Sequence, residues 1–196
     1  MSLWRDTPTL VGRHVTLRPL DRRDREAIVA AFAHGLEHVF ATIVPDEASV
    51  DGWYDRLEQE QAAGRAMPFT VLDADGRVVG VTRFLRMAET HRRVEIGGTV
   101  YAPQVQRTGL NTEAKRLLLT HAFEALGCQS VQLRTNWFNR QSRAAIERLG
   151  ARLDGVLRSH MIMPDGESRD TVVYSILAHE WPGVRQNLDF QLEKHA

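Results

Sequence analysis

The chain is poor in several things, and each shortage excludes something. Its 196 residues hold one cysteine, Cys128, so no intramolecular disulfide framework exists and a reducing compartment, by default the cytoplasm, is expected. No apolar run approaches the ~20 residues of a membrane span. The opening Met1-Ser-Leu-Trp-Arg-Asp6 lacks the apolar stretch of a secretory leader. No excess of one charge exists either. The 25 basic and 25 acidic side chains cancel, which argues against a direct nucleic-acid partner, since that needs a basic face. Lysine is nearly absent, with only Lys115 and Lys194, and this reads as coding bias rather than chemistry. What remains, 43% hydrophobic and 26% charged residues, is the composition of one globular domain over 1–196 with a substantial core.

The most informative stretch runs from Glu95 to Asn111 and into the helix after it. Val94 to Tyr101 reads as a strand, rich in β-branched and aromatic residues, with Gly97-Gly98 marking a bulge. Ala102-Pro103 stops it, because proline cannot donate a ladder hydrogen bond. Gln104 to Asn111 is a polar turn around Gly109. From Thr112 to Leu126, Ala114, Leu117, Leu118, His121, Ala122, Ala125 and Leu126 recur at helical spacing. A strand passing through a glycine-containing loop into a helix is a place to hold phosphate. The first helical N–H groups lack partners, the helix dipole makes that end positive, and a glycine without Cβ admits a bulky anion. The loop lacks the Lys-Ser/Thr of an ATP-type P-loop and lacks G-x-G-x-x-G, so it suggests a diphosphate held by backbone amides without a metal. An ordinary tight turn is the other reading.

Along the rest of the chain, Leu10 to Leu20 alternates as a first strand. Asp21 or Asp24 caps a helix to His34 that buries Ile28, Val29 and Phe32. His34 and His38, four apart, suit a metal only with a third ligand and a helix uninterrupted by Gly35, so surface histidines are the simpler reading. A loop over Phe40–Val50 precedes a helix to Ala63 carrying Trp53, Tyr54 and Leu57. Met67–Asp73 and Arg77–Leu85 form a hairpin about Asp75-Gly76, and Arg86–Arg93 is a polar connection. Val131, Leu133 and Thr135 alternate as a strand, followed by a helix from Arg140 to Leu149. Val94 through Thr135 is strand, helix, strand, which implies a parallel pair joined by a right-handed crossover. Ala151–Met163 and Asp170–Leu177 form a last hairpin. Residues 179–196 are a helix or a tail.

Gln106-Arg107-Thr108-Gly109-Leu110-Asn111 resembles the Gln/Arg-x-x-Gly-x-Gly/Ala motif of GNAT acetyltransferases. Continued through Thr112-Glu113-Ala114-Lys115, it resembles the RimJ/RimL-type branch. Asn139-Arg-Gln-Ser142, with Leu149-Gly150 after it, resembles the family's second signature. The resemblance implies a mixed α/β fold with a mostly antiparallel sheet, a splayed parallel strand pair holding coenzyme A, and a core of about 8–178. It implies an acetyl-CoA-dependent N-acetyltransferase without a metal. The acceptor is a primary amine: an α-amino group of a protein or peptide on the branch resemblance, or alternatively a small amine such as an amino acid, polyamine or antibiotic. A CoA-binding sensor without turnover is the reading from another class, and a nucleotide-binding module a weaker third. A homodimer stays open, and no membrane partner is implied.

The same resemblance places the site. Val100 and Tyr101 lie along pantetheine, Gln106 to Thr112 hold the diphosphate, and Asn139 contacts the CoA arm or simply caps its helix. Arg143, Arg140 and Lys115 reach phosphates or are solvated charges. His38, Phe40 and Trp53 line the acceptor pocket, with Trp53 equally readable as a packing residue. A protonated amine must lose a proton before attack. Glu95, alternating away from Val94 and Ile96, is the candidate base, half-buried with a raised pKa, or else a strand-face partner of Arg92, Arg134 or another arginine. Many family members carry a tyrosine seven residues after the Asn139 position to protonate the leaving thiolate. Here Ile146 stands there, and Ala151 replaces the usual phenylalanine after Leu-Gly. Ser142 is the substitute acid the branch suggests, or a helix-surface hydroxyl. Cys128, after Gly127 at a helix end, is a poor nucleophile.

Overall fold

The structure, a computed structural model, describes residues 2–36, 44–163 and 166–194. Leu10–Val11 (β1) and Val15–Pro19 (β2) pair antiparallel, with Leu10 opposite Leu17. The single strand expected over this region is broken by a turn at Gly12, Arg13 and His14. That turn closes around the buried carboxylate of Glu113, which accepts from the N–H groups of Arg13 at 2.9 Å, His14 at 2.6 Å and Val15 at 3.0 Å. A Cβ on Gly12 would stand 2.5 Å from the Glu113 carboxyl carbon, so the turn requires glycine.

Asp21 caps a short 3-10 turn by accepting from the Arg23 N–H at 2.8 Å. Arg25–Phe32 (α1) follows and buries Ile28 and Phe32. Asp24 does not cap it. Its carboxylate accepts from Arg18 and, at 2.7 Å, from the Thr70 hydroxyl. Val50–Ala62 (α2) buries Trp53, Tyr54 and Leu57. Met67–Asp73 (β3) and Val78–Ala88 (β4) form the expected hairpin. β4 continues past Leu85, where a polar connection was expected, because Met87 is buried and its N–H reaches the Arg65 carbonyl at 3.2 Å.

Arg93–Tyr101 (β5) runs antiparallel to β4, and its register slips between Val81↔Val100 and Arg83↔Gly97. The extra residue falls at Gly98, φ +55°, as the glycine pair suggested. Leu110–Thr120 (α3) starts two residues before the expected Thr112 and ends in a π-helical turn over His121–Ala125. Ser130–Asn136 (β6), Arg140–Arg148 (α4), Arg152–Ile162 (β7) and Ser168–Leu177 (β8) come next. The C-terminal segment resolves as a helix, Trp181–Glu193 (α5), which buries Trp181, Val184 and Leu188.

Among the described residues, eight strands make one sheet in the order β1-β2-β3-β4-β5-β6-β8-β7, antiparallel except for β5 and β6. This is the mixed α/β fold expected. α3, α4 and α5 cover one face, where Leu118, Leu119, Ile146, Leu149 and Leu188 join the main core with Val94, Ile96, Val131 and Leu133. Burying each such leucine is worth roughly 1.5–3 kcal/mol. α1 and α2 cover the other face through a second cluster that reaches the sheet at Val81 and Val100. Among the described residues no helix is long and apolar enough to cross a membrane.

Candidate active site

β5 and β6 pair only at Arg93↔Ser130, Val94↔Val131 and Glu95↔Gln132. Beyond Glu95 the strands part, while β6 stays paired to β8 as far as Asn136↔Thr171 and β5 to β4 as far as Tyr101↔Gly80. A slot therefore opens in the sheet, edged by β5 from Ile96 to Tyr101 and by β6 from Leu133 to Asn136. Its β5 edge carries main-chain donors and acceptors with no strand opposite them, the arrangement that receives an extended ligand as an added strand.

At the end of the slot, the chain turns through Pro103–Val105 and the loop 106–109 into α3. Gln106 donates to the Tyr101 carbonyl at 3.0 Å, and the Thr108 hydroxyl donates to the Val105 carbonyl at 2.7 Å. The Leu110 N–H reaches the Thr108 hydroxyl at 3.3 Å and the Glu113 N–H the Gly109 carbonyl at 3.0 Å. The N–H groups of Asn111 and Thr112 between them have no acceptor among the described residues, which leaves donors at a positive helix end for an anion. The loop's left-handed residue is Arg107, φ +62°, whereas Gly109 sits at φ −65°, a conformation open to any residue. Glycine is thus not required there by a tight turn. Leu110 and Thr112 are buried, so what they offer a ligand is backbone, not side chain. A depression of about 320 Å³ borders this loop, lined by His14, Asp73, Asp75, Thr108, Gly109 and Leu110. Its acidic groups are engaged: Asp73 accepts from the Asp75 and Arg77 N–H groups, and Asp75 pairs with Arg77 at 2.8 Å.

The start of α4 faces the same region. Asn139 caps it, accepting from the Ser142 N–H at 2.9 Å. The Ser142 hydroxyl has no partner among the described residues. Arg143 is held by protein groups: it donates to the Tyr174 hydroxyl at 3.1 Å and stacks on Trp137 at 4.6 Å. Tyr174 itself donates to Glu147 at 2.6 Å and is buried. Ile146 belongs to the core. Lys115, left open as a phosphate contact, turns inward instead. Its ammonium donates to Thr99 at 2.7 Å and Thr82 at 3.4 Å, and burial pulls its pKa down to about 7.

Glu95 is 4% exposed and lies at the point where the strands separate, on the face opposite α3 and α4. Arg86 Nη1 contacts both its oxygens, at 3.0 and 2.9 Å, and Arg134 Nε lies 3.1 Å away. The partners are thus Arg86 and Arg134 rather than Arg92. Arg86 reaches Glu95 through a second bulge, between Leu85 and Ala88, with its own φ at +47°. Such a bulge re-aims a side chain at a local cost in strain. Burial raises the Glu95 pKa, the guanidinium groups oppose it, and the balance lies above the usual carboxylate range.

Other expected site residues fall elsewhere. Trp53 packs edge-on against Tyr54, centroids 5.1 Å apart, inside the second core cluster. His38 and Phe40 lie outside the described residues. α1 ends at Phe32, so His34 is not helical. Cys128 is buried, which pushes its thiol up to about 12. Sequence reasoning missed Arg86 and the Glu113 clamp. The signals were a bulge that only register reveals and a contact across a hundred residues.

Comparison with known proteins gives the family. A family model described as an acetyltransferase (GNAT) domain matches residues 14–152. The chain belongs to the GNAT acetyltransferase family. It is an N-acetyltransferase of the acetyl-CoA-dependent type, and the open β5 edge with its adjoining helix start fits that donor's extended arm and diphosphate. Among GNAT relatives, "Putative ribosomal N-acetyltransferase YdaF" of Bacillus subtilis is 27% identical over 181 residues, 89% of this chain and 97% of that protein. Spermidine N(1)-acetyltransferase of Escherichia coli K12 is 26% identical over 174 residues, 85% of this chain and 88% of that one. The structure of Mycobacterium smegmatis RimJ in complex with CoA-disulfide superposes with a TM-score of 0.77 at 25% identity, covering 96% of each chain. It agrees with the RimJ/RimL-type branch. Names that span ribosomal proteins and a polyamine leave the acceptor open.

Proposed function

We propose that the chain acetylates an α-amino group of a protein or peptide, with Glu95 as the base. The observation that carries this reading is the position of Glu95: a buried carboxylate of raised pKa where the strands part, on the face opposite α3 and α4. The thioester of acetyl-CoA supplies the acyl group. Backbone N–H groups of Asn111 and Thr112 hold the diphosphate end, with Gln106, Arg107, Thr108 and Gly109 shaping the loop. The free main-chain edge at Val100 and Tyr101 aligns the pantetheine arm, and an N–H on that edge polarises the acyl carbonyl. Asn139 and Arg143 frame the slot from α4.

Glu95 takes the proton of the incoming ammonium, directly or through water, so that the nitrogen lone pair is free to attack. Arg86 and Arg134 keep the carboxylate oriented. A pKa above the ordinary range makes it a better base than a solvated glutamate. The Ser142 hydroxyl, without a partner among the described residues, hydrogen-bonds the sulfur as the C–S bond of the tetrahedral intermediate breaks. The nitrogen loses its second proton to solvent, the thiolate takes one from solvent to leave as the CoA thiol, and the proton held at Glu95 leaves to solvent when the amide product departs.

The test follows thiol release from acetyl-CoA with a panel of peptide N-termini and small amines, using wild type, Glu95→Gln and Ser142→Ala. Calorimetric titration with acetyl-CoA, and with ATP and NAD as controls, accompanies it. The expected result is saturable binding of acetyl-CoA alone by all three proteins, turnover by wild type, and loss of turnover in Glu95→Gln. Wild-type turnover unchanged in Glu95→Gln contradicts the base assignment. Acetyl-CoA binding without turnover of any amine favours a sensor.

A further inference from the structure

Glu95 is surrounded by arginines. On the same face of the sheet, Arg83 stands two residues before Leu85, the cross-strand partner of Glu95, and Arg134 two residues after Gln132, its partner on β6. Arg86 is brought in by its bulge, and Arg169 on β8 alternates with Thr171, Val173 and Ser175, the last two opposite Arg134 and Gln132. Arg83 lies within the electrostatic reach of Glu95 and Arg86, and Arg169 within that of Arg86. In a chain of zero formal charge, this local excess of positive charge is a built feature.

Three of the four, Arg83, Arg134 and Arg169, have a buried Nε with no hydrogen-bond partner among the described residues, and two of these, Arg83 and Arg169, have no carboxylate partner there either. Arg86 and Arg134 share Glu95. Arg83 makes no hydrogen bond or ion pair with any described residue, and its Nε is buried without an acceptor. The Nε of Arg169 is buried in the same condition, and among the described residues the side chain makes one weak contact, Nη1 to the Met163 sulfur at 4.0 Å. Of the carboxylates that act on Arg83, Glu95 is held by Arg86 and Arg134, and Glu60 on α2 is held by Arg65 at 2.9 Å. Buried guanidinium donors without acceptors are costly, and burial accordingly depresses the pKa of both groups. Gly98 leaves room for the Arg83 guanidinium. A Cβ there would meet Arg83 Nε at 2.7 Å.

These donors are not positioned for the nucleotide. The starts of α3 and α4 lie on the opposite face, with the main core. A ligand reaching Arg83 and Arg169 comes from the side on which Glu95 would receive the acceptor. We infer that Arg83 and Arg169 form an anion subsite for the acceptor, so that the favoured substrate is an amine that also carries a carboxylate, as an acidic peptide N-terminus or an amino acid does. A carboxylate bonds the outer Nη groups of these two part-exposed side chains through charge-assisted bonds, while the amine is left beside Glu95. A polycation such as spermidine meets the same groups as a repulsive field. This inference rests on the acetyl-transfer reading above.

The test compares kcat/KM for matched peptides whose first three residues are acidic, neutral or basic, together with glutamate and spermidine, in wild type, Arg83→Gln, Arg169→Gln and the double variant. Binding of the N-acetylated acidic and neutral product peptides is measured calorimetrically in the presence of CoA, so that the subsite is read without turnover. The expected result is a preference of at least about tenfold for acidic over neutral acceptors, with spermidine the poorest. That preference shrinks to within about threefold in the double variant, as a rise in KM, with the Kd for acetyl-CoA unchanged. Equal use of acidic, neutral and basic acceptors by wild type, or a preference that survives in the double variant, overturns the subsite and leaves the transferase reading standing. If no amine is turned over, the transferase reading fails instead. The product-binding arm then still decides the subsite: preferential binding of the acidic peptide, lost in the double variant, upholds it, and equal binding overturns it.

Discussion

Glu113 and Glu95 are both buried carboxylates, one at the start of α3 and one on the strand before it, and they are built in opposite ways. Glu113 is surrounded by fixed backbone donors. Three consecutive N–H groups of the β1–β2 turn converge on it, and Gly12 leaves room for nothing else. Glu95 is surrounded by long side chains, two of them in contact and a third unpaired, and one of the contacts is reached only through a strained residue. A carboxylate locked by backbone holds two elements together. A carboxylate held by arginines at a strand separation, with its pKa pushed upward, is equipped to exchange a proton.

Four substitutions break or sharpen that comparison. The largest effect is expected from Glu95→Gln: kcat falls on the order of 10²–10³-fold, with the Kd for acetyl-CoA unchanged, in steady-state and calorimetric measurements. Stability should change by only about 1 kcal/mol, for a reason of sign. A carboxyl whose folded pKa is raised favours the fold most below its unfolded pKa and loses that contribution as pH rises through the folded value. At neutral pH the charge is therefore no net support, and a neutral isostere is tolerated. Glu113→Ala should do the reverse. It orphans three donors and costs about 3 kcal/mol in urea unfolding, with activity per folded molecule weakened mainly through acetyl-CoA affinity as the helix start loosens. If Glu95→Gln proves the more destabilising of the two, the contrast is wrong.

Lys115 extends the contrast to a buried cation. Its folded pKa, about 7, lies below that of a free lysine, so the unfolded chain binds the proton more readily. Stability should rise with pH between about 7 and 10. Lys115→Met should remove that slope in unfolding curves measured across the range, and a slope that persists would assign it elsewhere. The smallest effect is expected on the other side of the slot. Ser142→Ala should lower kcat about tenfold at most, because a thiolate is a good leaving group and the hydroxyl only assists it. A loss as large as that of Glu95→Gln would shift the weight of the chemistry onto α4.

What could be read in advance follows from range. The bulge at Gly97-Gly98, the hairpin at Asp75-Gly76, the strand-helix-strand unit and the Asn139 cap are local patterns, and they appear in the structure where the residues suggested. The break between β1 and β2 was hidden because Glu113, which causes it, is a hundred residues away. The inward turn of Lys115 was hidden because amphipathic spacing places a residue on a face without naming the groups opposite. In this case those are Thr99 and Thr82 from two other strands. Glu95 was recognisable as an inward strand residue, yet its company of Arg83, Arg86, Arg134 and Arg169 depends on register across β4, β5, β6 and β8, which no single segment encodes.

The most direct measurement is the pH dependence of kcat/KM for wild type and Glu95→Gln with the same peptide acceptor. The account predicts that wild-type activity rises with pH through an ionisation above 4.5, the raised pKa of Glu95, on a limb that is absent from the much weaker profile of Glu95→Gln. Glu95→Gln retaining the wild-type rate and the wild-type limb would contradict it, and would place the proton transfer on a group other than Glu95.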